Sequence, residues 1–110
     1  MIFEFRQNNS GGSFDHNPSR GIGQRVFIEA SDVKDALRRA KKIGLYFNGV
    51  SSGHDCGCCG DRWDEPWDDE WLTQEEFQEK LDALKGYVDW GIPSYYHKLD
   101  GSFEVLEIHT

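Results

Sequence analysis

QRVFIEASDVKDALRRAKKIG, residues 24–44, changes its repeat halfway along, and that change decides the fold class. Gln24 to Ala30 is rich in β-branched and aromatic residues, which suit a pleated surface. Beyond it, apolar residues fall at Val33, Ala36, Leu37, Ala40 and Ile43, the spacing of one helical face. Ser31 is placed to cap this helix, and Gly44 stands where it must end. Lys34, Arg38, Arg39, Lys41 and Lys42 occupy its other sides and gather toward the C terminus, where the macrodipole favours them.

Upstream, IFEFR (residues 2–6) alternates, with Phe3 and Phe5 on one face and Glu4 and Arg6 on the other, as in a half-buried strand. The polar, glycine-rich residues 7–23 read as a loop or loose hairpin. Downstream, Leu45 to Phe47 reads as a short strand and residues 48–71 as irregular. Thr73 and Glu76 form a T-x-x-E capping box, with Leu72 placed to staple against Phe77. Phe77, Leu81, Leu84 and Val88 give that second helix its apolar face, and Gly91-Ile92-Pro93 stops it. Two final strands flank Asp100-Gly101, a strong hairpin signal. This order predicts a single small α+β domain over residues 1–110: a mostly antiparallel sheet with two helices packed on one face. The acidic loop and helix at about 61–90 are expected to be its variable part, and a split β-α-β core fits residues 24–50.

The chain has 110 residues, enough for one modest core, and 14% are aromatic, so a few large rings supply much of the buried area. Its formal charge of −8 is uneven. Residues 55–82 hold eleven acids and two bases, a net −9, and the remainder carries nine acids against ten bases. Such a balance argues against binding nucleic-acid backbones, which needs stripes of Lys and Arg. It suits a basic protein surface, or imitation of nucleic-acid charge. No apolar run reaches membrane-spanning length, and MIFEFRQNN does not read as a signal peptide. Three clustered cysteines are an odd number and a poor disulfide framework, so a reducing cytoplasm is the expected compartment.

All three thiols lie in HDCGCCGDRW, residues 54–63. Cys56-Gly57-Cys58-Cys59-Gly60 contains C-x-x-C-G, whose turn directs backbone N–H groups at sulfur in zinc knuckles. Cys56 and Cys59, with two of His54, Asp55, Cys58, His16, His97 and His109, complete a zinc set on one reading. Others are a catalytic or redox thiol, or a tight buried turn beside Trp63 that does no chemistry. The acids that follow disfavour the redox reading, since negative charge raises a thiol pKa. A second polar stretch, Arg6-Gln7-Asn8-Asn9-Ser10-Gly11-Gly12-Ser13, offers a guanidinium, amides, hydroxyls and free backbone N–H groups, the donors that hold an anion or a base edge. It lacks the spacing of a phosphate-binding loop. Residues 64–71, DEPWDDEW, alternate acids with indoles: a solvated loop with Trp67 and Trp71 pinned to the core, or an interaction edge.

On FEFRQNNSGGSF (3–14), RVFIEA (25–30), GLYFNGV (44–50) and DCGCCGDRW (55–63), the chain resembles a family of small uncharacterised proteins from tailed bacteriophages. The resemblance implies expression in host bacterial cytoplasm and no particular reaction. If its two motif stretches meet in space, Arg6, Gln7, Asn8, Asn9, Ser10, Gly11, Gly12, Asp61, Arg62 and Trp63 form one ligand site. Arginines would take phosphate, the indole would stack on a base, and the amides would read edges. The expected function is a non-enzymatic binding protein that counteracts a host factor or defence by sequestering a nucleotide-like ligand. An acidic inhibitor or nucleic-acid mimic acting through residues 61–82 is the alternative, and a zinc- or thiol-dependent enzyme a third reading. Exposed sheet edges and surface aromatics also permit a homo-oligomer.

Overall fold

A computed structural model describes residues 1–8, 16–53, 60–66, 69–84 and 94–106. Among them, strands β1 (Ile2–Arg6), β2 (Arg25–Glu29), β3 (Trp71–Leu72), β4 (Ser94–His97) and β5 (Phe103–Leu106) form one sheet. Helices α1 (Val33–Ile43), α2 (Gly49–Ser52) and α3 (Gln74–Leu84) complete the elements. The strand order is β3-β1-β2-β4-β5, and among the described strands β2 and β4 are the only parallel neighbours. The chain is a small α+β domain with a mostly antiparallel sheet.

The two longer helices lie on opposite faces, not on one. In β1 and β2, Phe3 pairs with Ile28 and Phe5 with Val26, and these four join Ala36 and Ala40 of α1 in one buried cluster. Ile2, Phe27 and Tyr96 point the other way and enclose Phe77 of α3. The Phe77 ring lies 4.9 Å from those of both Phe27 and Tyr96. The physical reason is the central strand: Val26, Phe27 and Ile28 are consecutive and apolar, so β2 is hydrophobic on both sides and each side needs a cover. Glu4, on the α3 face, is held by Lys80 of α3 and approached by Arg25 at 3.8 Å.

Helix α1 begins one residue later than the Ser31 cap implied. Asp32 is the N-cap, its Oδ1 accepting from the Asp35 N–H at 2.7 Å. Asp35 also accepts from the Ser31 N–H at 3.1 Å, which fastens the residue before the cap to the first turn. Gly44 ends the helix at φ 116°, with the Leu45 N–H on the Ala40 carbonyl at 3.0 Å and the Gly44 N–H on that of Lys41 at 3.2 Å. The expected strand at 45–47 does not form. Leu45 is buried under α1, Phe47 packs on Phe5 with ring centres 5.9 Å apart, and Asn48 at φ 57° turns the chain into α2. These residues are anchored by their side chains and add no ladder. The split β-α-β reading of residues 24–50 fails with them, because the parallel partner of β2 is β4, beyond α3. Trp71, read as irregular, pairs with Phe3 in β3 and is 39% exposed.

The α3 capping box forms as the sequence indicates: the Glu76 N–H donates to Thr73 Oγ1 at 3.1 Å, and the Thr73 N–H to Glu76 Oε1 at 3.3 Å. Val88 and the stop at 91–93 lie outside the described residues. Since Phe77 is the residue through which α3 closes its face of the sheet, Phe77→Ala is expected to destabilise the domain by about 3–5 kcal/mol, read as a lower urea midpoint.

Candidate functional site

Two constellations stand out, and they differ in what their polar groups are free to do. The first lies where β1 runs out of the sheet. Gln7 makes an antiparallel bridge with Trp63, and the Asn8 N–H donates to the Arg62 carbonyl at 2.8 Å. The Asn8 side-chain amide reaches the Asp61 carbonyl at 3.3 Å. The described parts of the two motif stretches, Gln7 and Asn8 on one and Asp61 to Trp63 on the other, therefore lie side by side. Asp61 Oδ1 also accepts from the Val50 N–H at 2.9 Å, tying them to α2.

Among the described residues, the Gln7, Arg62 and Trp63 side chains are committed inward. The Gln7 amide donates to the Gly23 carbonyl at 2.8 Å, and its Oε1 accepts from Arg62 Nη1 at 3.0 Å. Arg62 Nε donates to the Tyr46 hydroxyl at 3.1 Å. Gln7 and Arg62 are both buried, and Trp63 is 1% exposed within the α1-side core, so its indole presents no open face for stacking. Arg6 is exposed and lies on the opposite side of β1 from Gln7, by the alternation of the strand. Among the described residues Arg6 and Arg62 therefore lie on different sides of β1, where the meeting of the motifs had suggested that both would border one pocket. Asn9, Ser10, Gly11 and Gly12 lie outside the described residues, as do His54, Cys56, Cys58 and Cys59 of the zinc reading. Of the further histidines considered for zinc, His16 Nε2 pairs with the Tyr95 hydroxyl at 3.0 Å and His97 Nε2 with the Gly21 carbonyl at 2.8 Å. Among the described residues no group of three His, Cys, Asp or Glu is placed to hold a metal.

The second constellation was not foreseen. A recess of about 580 Å³ opens between α1 and the β4–β5 hairpin. Ile28, Ile43, His97 and Phe103 give it an apolar and aromatic lining, and Arg20, Arg38, Arg39, Lys42 and Lys98 make its cationic side. Arg39 Nη1 donates to the Leu99 carbonyl at 3.0 Å and ties the helix to the hairpin. Asp35 takes Arg38 and Arg39, and Lys98 lies 3.5 Å from Glu104. The Ser31 N–H, followed by side-chain bonds from Arg38 and Arg39, holds the Asp35 carboxyl well below the usual range despite some desolvation. Among the described residues Arg20 and Lys42 have no carboxylate partner.

One tight turn shapes the inner wall. Asn17 and Ile22 exchange backbone hydrogen bonds at 2.8 and 3.0 Å, closing a turn through Pro18-Ser19-Arg20-Gly21. Gly21 has φ 69°, and a Cβ there would sit 2.7 Å from His97 Nε2 and 2.8 Å from Phe103 Cδ2. Only glycine lets this turn close on the ring pair. Sequence reading missed the recess because its cations come from positions 20, 38, 39, 42 and 98. The one local signal was Arg38 and Lys42 at i and i+4 on α1, which passes equally well for a solvated helix face.

The fold and site thus define a small α+β domain with a cationic recess. A family model described as a domain of unknown function, DUF7296, matches residues 1–109, and the chain belongs to that family. No curated protein and no solved structure matches the chain. Among the described residues no helix is long and apolar enough to cross a membrane.

Two expectations follow. Arg62→Ala removes the hydrogen bonds to Gln7 Oε1 and the Tyr46 hydroxyl and should cost about 1.5–3 kcal/mol in chemical denaturation, as loss of hydrogen bonds to a charged group does. Burial holds the His97 imidazole below its ordinary value of 6.5, against the raising effect of its Gly21 bond. The unfolded chain therefore takes up that proton first as the pH falls, so the contribution is complete above 6.5 and is lost progressively below it. Unfolding free energy measured between pH 7 and pH 5 should slope less steeply in His97→Gln.

Proposed function

We propose that this chain is a non-enzymatic binding protein that sequesters a small phosphate-bearing, nucleotide-like ligand, seated in the recess between α1 and the β4–β5 hairpin. One observation carries the reading. The chain has 20 acids against 12 bases, yet five of those bases surround a single concavity, two of them without a carboxylate partner among the described residues. Gathering like charges costs free energy that an incoming anion offsets. The volume lies within the roughly 300–1,000 Å³ of small-ligand sites. The wording shared with tailed-phage proteins supplies the setting: host bacterial cytoplasm, with a host factor or defence signal as the molecule withdrawn.

A second reading has its own observation. Trp71 is exposed on the outer strand β3, and Asp69 and Glu70 beside it are exposed too. An acidic edge with an indole suits a basic host protein, the acidic-inhibitor role through residues 61–82. Charge reversal at Asp69 and Glu70 would abolish that activity and leave ligand uptake intact.

Isothermal titration against a panel of nucleotides and signalling nucleotides tests the first reading. Uptake should weaken at least tenfold in Arg20→Ala and in Lys42→Ala, and should fall with added salt. No uptake across the panel would overturn it.

A further inference from the structure

The recess is not uniform, and its unevenness bears on what kind of phosphate-bearing molecule fits it. Its cations without acidic partners sit toward the end of α1. Arg20 reaches that end, its Nη1 lying 3.3 Å from where a Gly44 side chain would begin, and Lys42 occupies the last turn. The hairpin side carries Leu99 and Phe103, 51% and 38% exposed. It also carries Asp100, whose Oδ1 accepts from the Ser102 N–H at 2.8 Å and the Ser102 hydroxyl at 2.6 Å.

Phe103 is a fixed platform and not a loose surface ring. The His97 ring lies 5.1 Å from it, Tyr95 meets it edge-on at 6.0 Å, and Gly21 closes on its Cδ2 edge. A ring braced on its inner side and open on the other gives a flat partner an apolar surface at little entropic cost. The Asp100 carboxylate beside it repels a phosphate and accepts a hydroxyl or amino hydrogen.

Resting on the anion-binding reading above, we infer that the recess orients its ligand, with the phosphoryl group at Arg20 and Lys42 and a flat heterocycle on Phe103. The ligand class is then a nucleotide whose ring contributes to affinity, and not inorganic phosphate or polyphosphate.

The test compares adenosine 5′-monophosphate, uridine 5′-monophosphate and inorganic pyrophosphate by isothermal titration on the full chain. At least one nucleotide should bind more tightly than pyrophosphate. Phe103→Leu keeps an apolar side chain at the site and removes the stacking face; it should weaken the nucleotide about tenfold and leave pyrophosphate unchanged. Arg20→Ala should weaken both, and unchanged thermal unfolding of each variant shows that the fold is retained. Pyrophosphate binding as tightly as both nucleotides, or Phe103→Leu weakening all three alike, overturns the orientation while leaving an anion site. No binding of any of the three overturns this inference, and retention of another member of the nucleotide panel would still uphold the anion site itself.

Discussion

Val26 and Ile28 turn one way from β2, Phe27 turns the other, and all three are at most 1% exposed. A strand buried on both sides leaves no solvated face to its part of the sheet, so a helix must lie over each. Ala36 and Ala40 let α1 approach Val26 and Ile28 closely, and Phe77 brings α3 onto Phe27. Placing β4 parallel to β2 follows from the same requirement. The chain passes from α1 through the outer strand β3 to α3 before it enters β4, and Tyr96 then completes the α3 face while His97 sits beside the recess.

The Gln7–Arg62 contact serves this architecture. Arg62 is a buried cation held by the Gln7 and Tyr46 oxygens, while the Gln7 amide in turn holds Gly23. Burying a charge is tolerated only where its donors are satisfied. Satisfying them here ties four separate segments together: the end of β1, the approach to β2, the stretch after α1, and the segment after the thiol loop. Residues that look like ligand groups in the linear sequence thus act as a polar clamp beside Trp63, and Asn8 and Asp61 extend the clamp to α2. Among the described residues, the clustered cations lie elsewhere, around the recess.

Charge follows the same division of the molecule. Acids dominate α3 and the approach to β3, and the bases of α1 meet those of the 17–22 turn and the hairpin on the other side. Net charge describes neither region. The value of −8 averages over the whole molecule, and it conceals one local field of the opposite sign.

Local rules were enough for the elements whose signals are local. The alternation of β1, the apolar face of α1 with Gly44 at its end, the Thr73–Glu76 box and the Asp100-Gly101 turn each depend on residues within a few positions, and each stands where the sequence puts it. The adjacency of the two motif stretches was open to conjecture from their wording, but the inward direction of Gln7, Arg62 and Trp63 was not. Direction depends on which face of β1 the core occupies, and that is settled by packing against α1. The same limit hid the placement of the helices on opposite faces and the loss of the 45–47 strand. Backbone that can pair will not do so where its side chains are better buried. The recess was the least legible feature, because Arg20, Lys42 and Lys98 become neighbours only when a turn, a helix end and a hairpin converge. Sequence by itself determined the elements and the apolar surfaces they had to cover. Tertiary structure alone decided which charges would share a cavity, since a field is summed over distance in space and not along the chain.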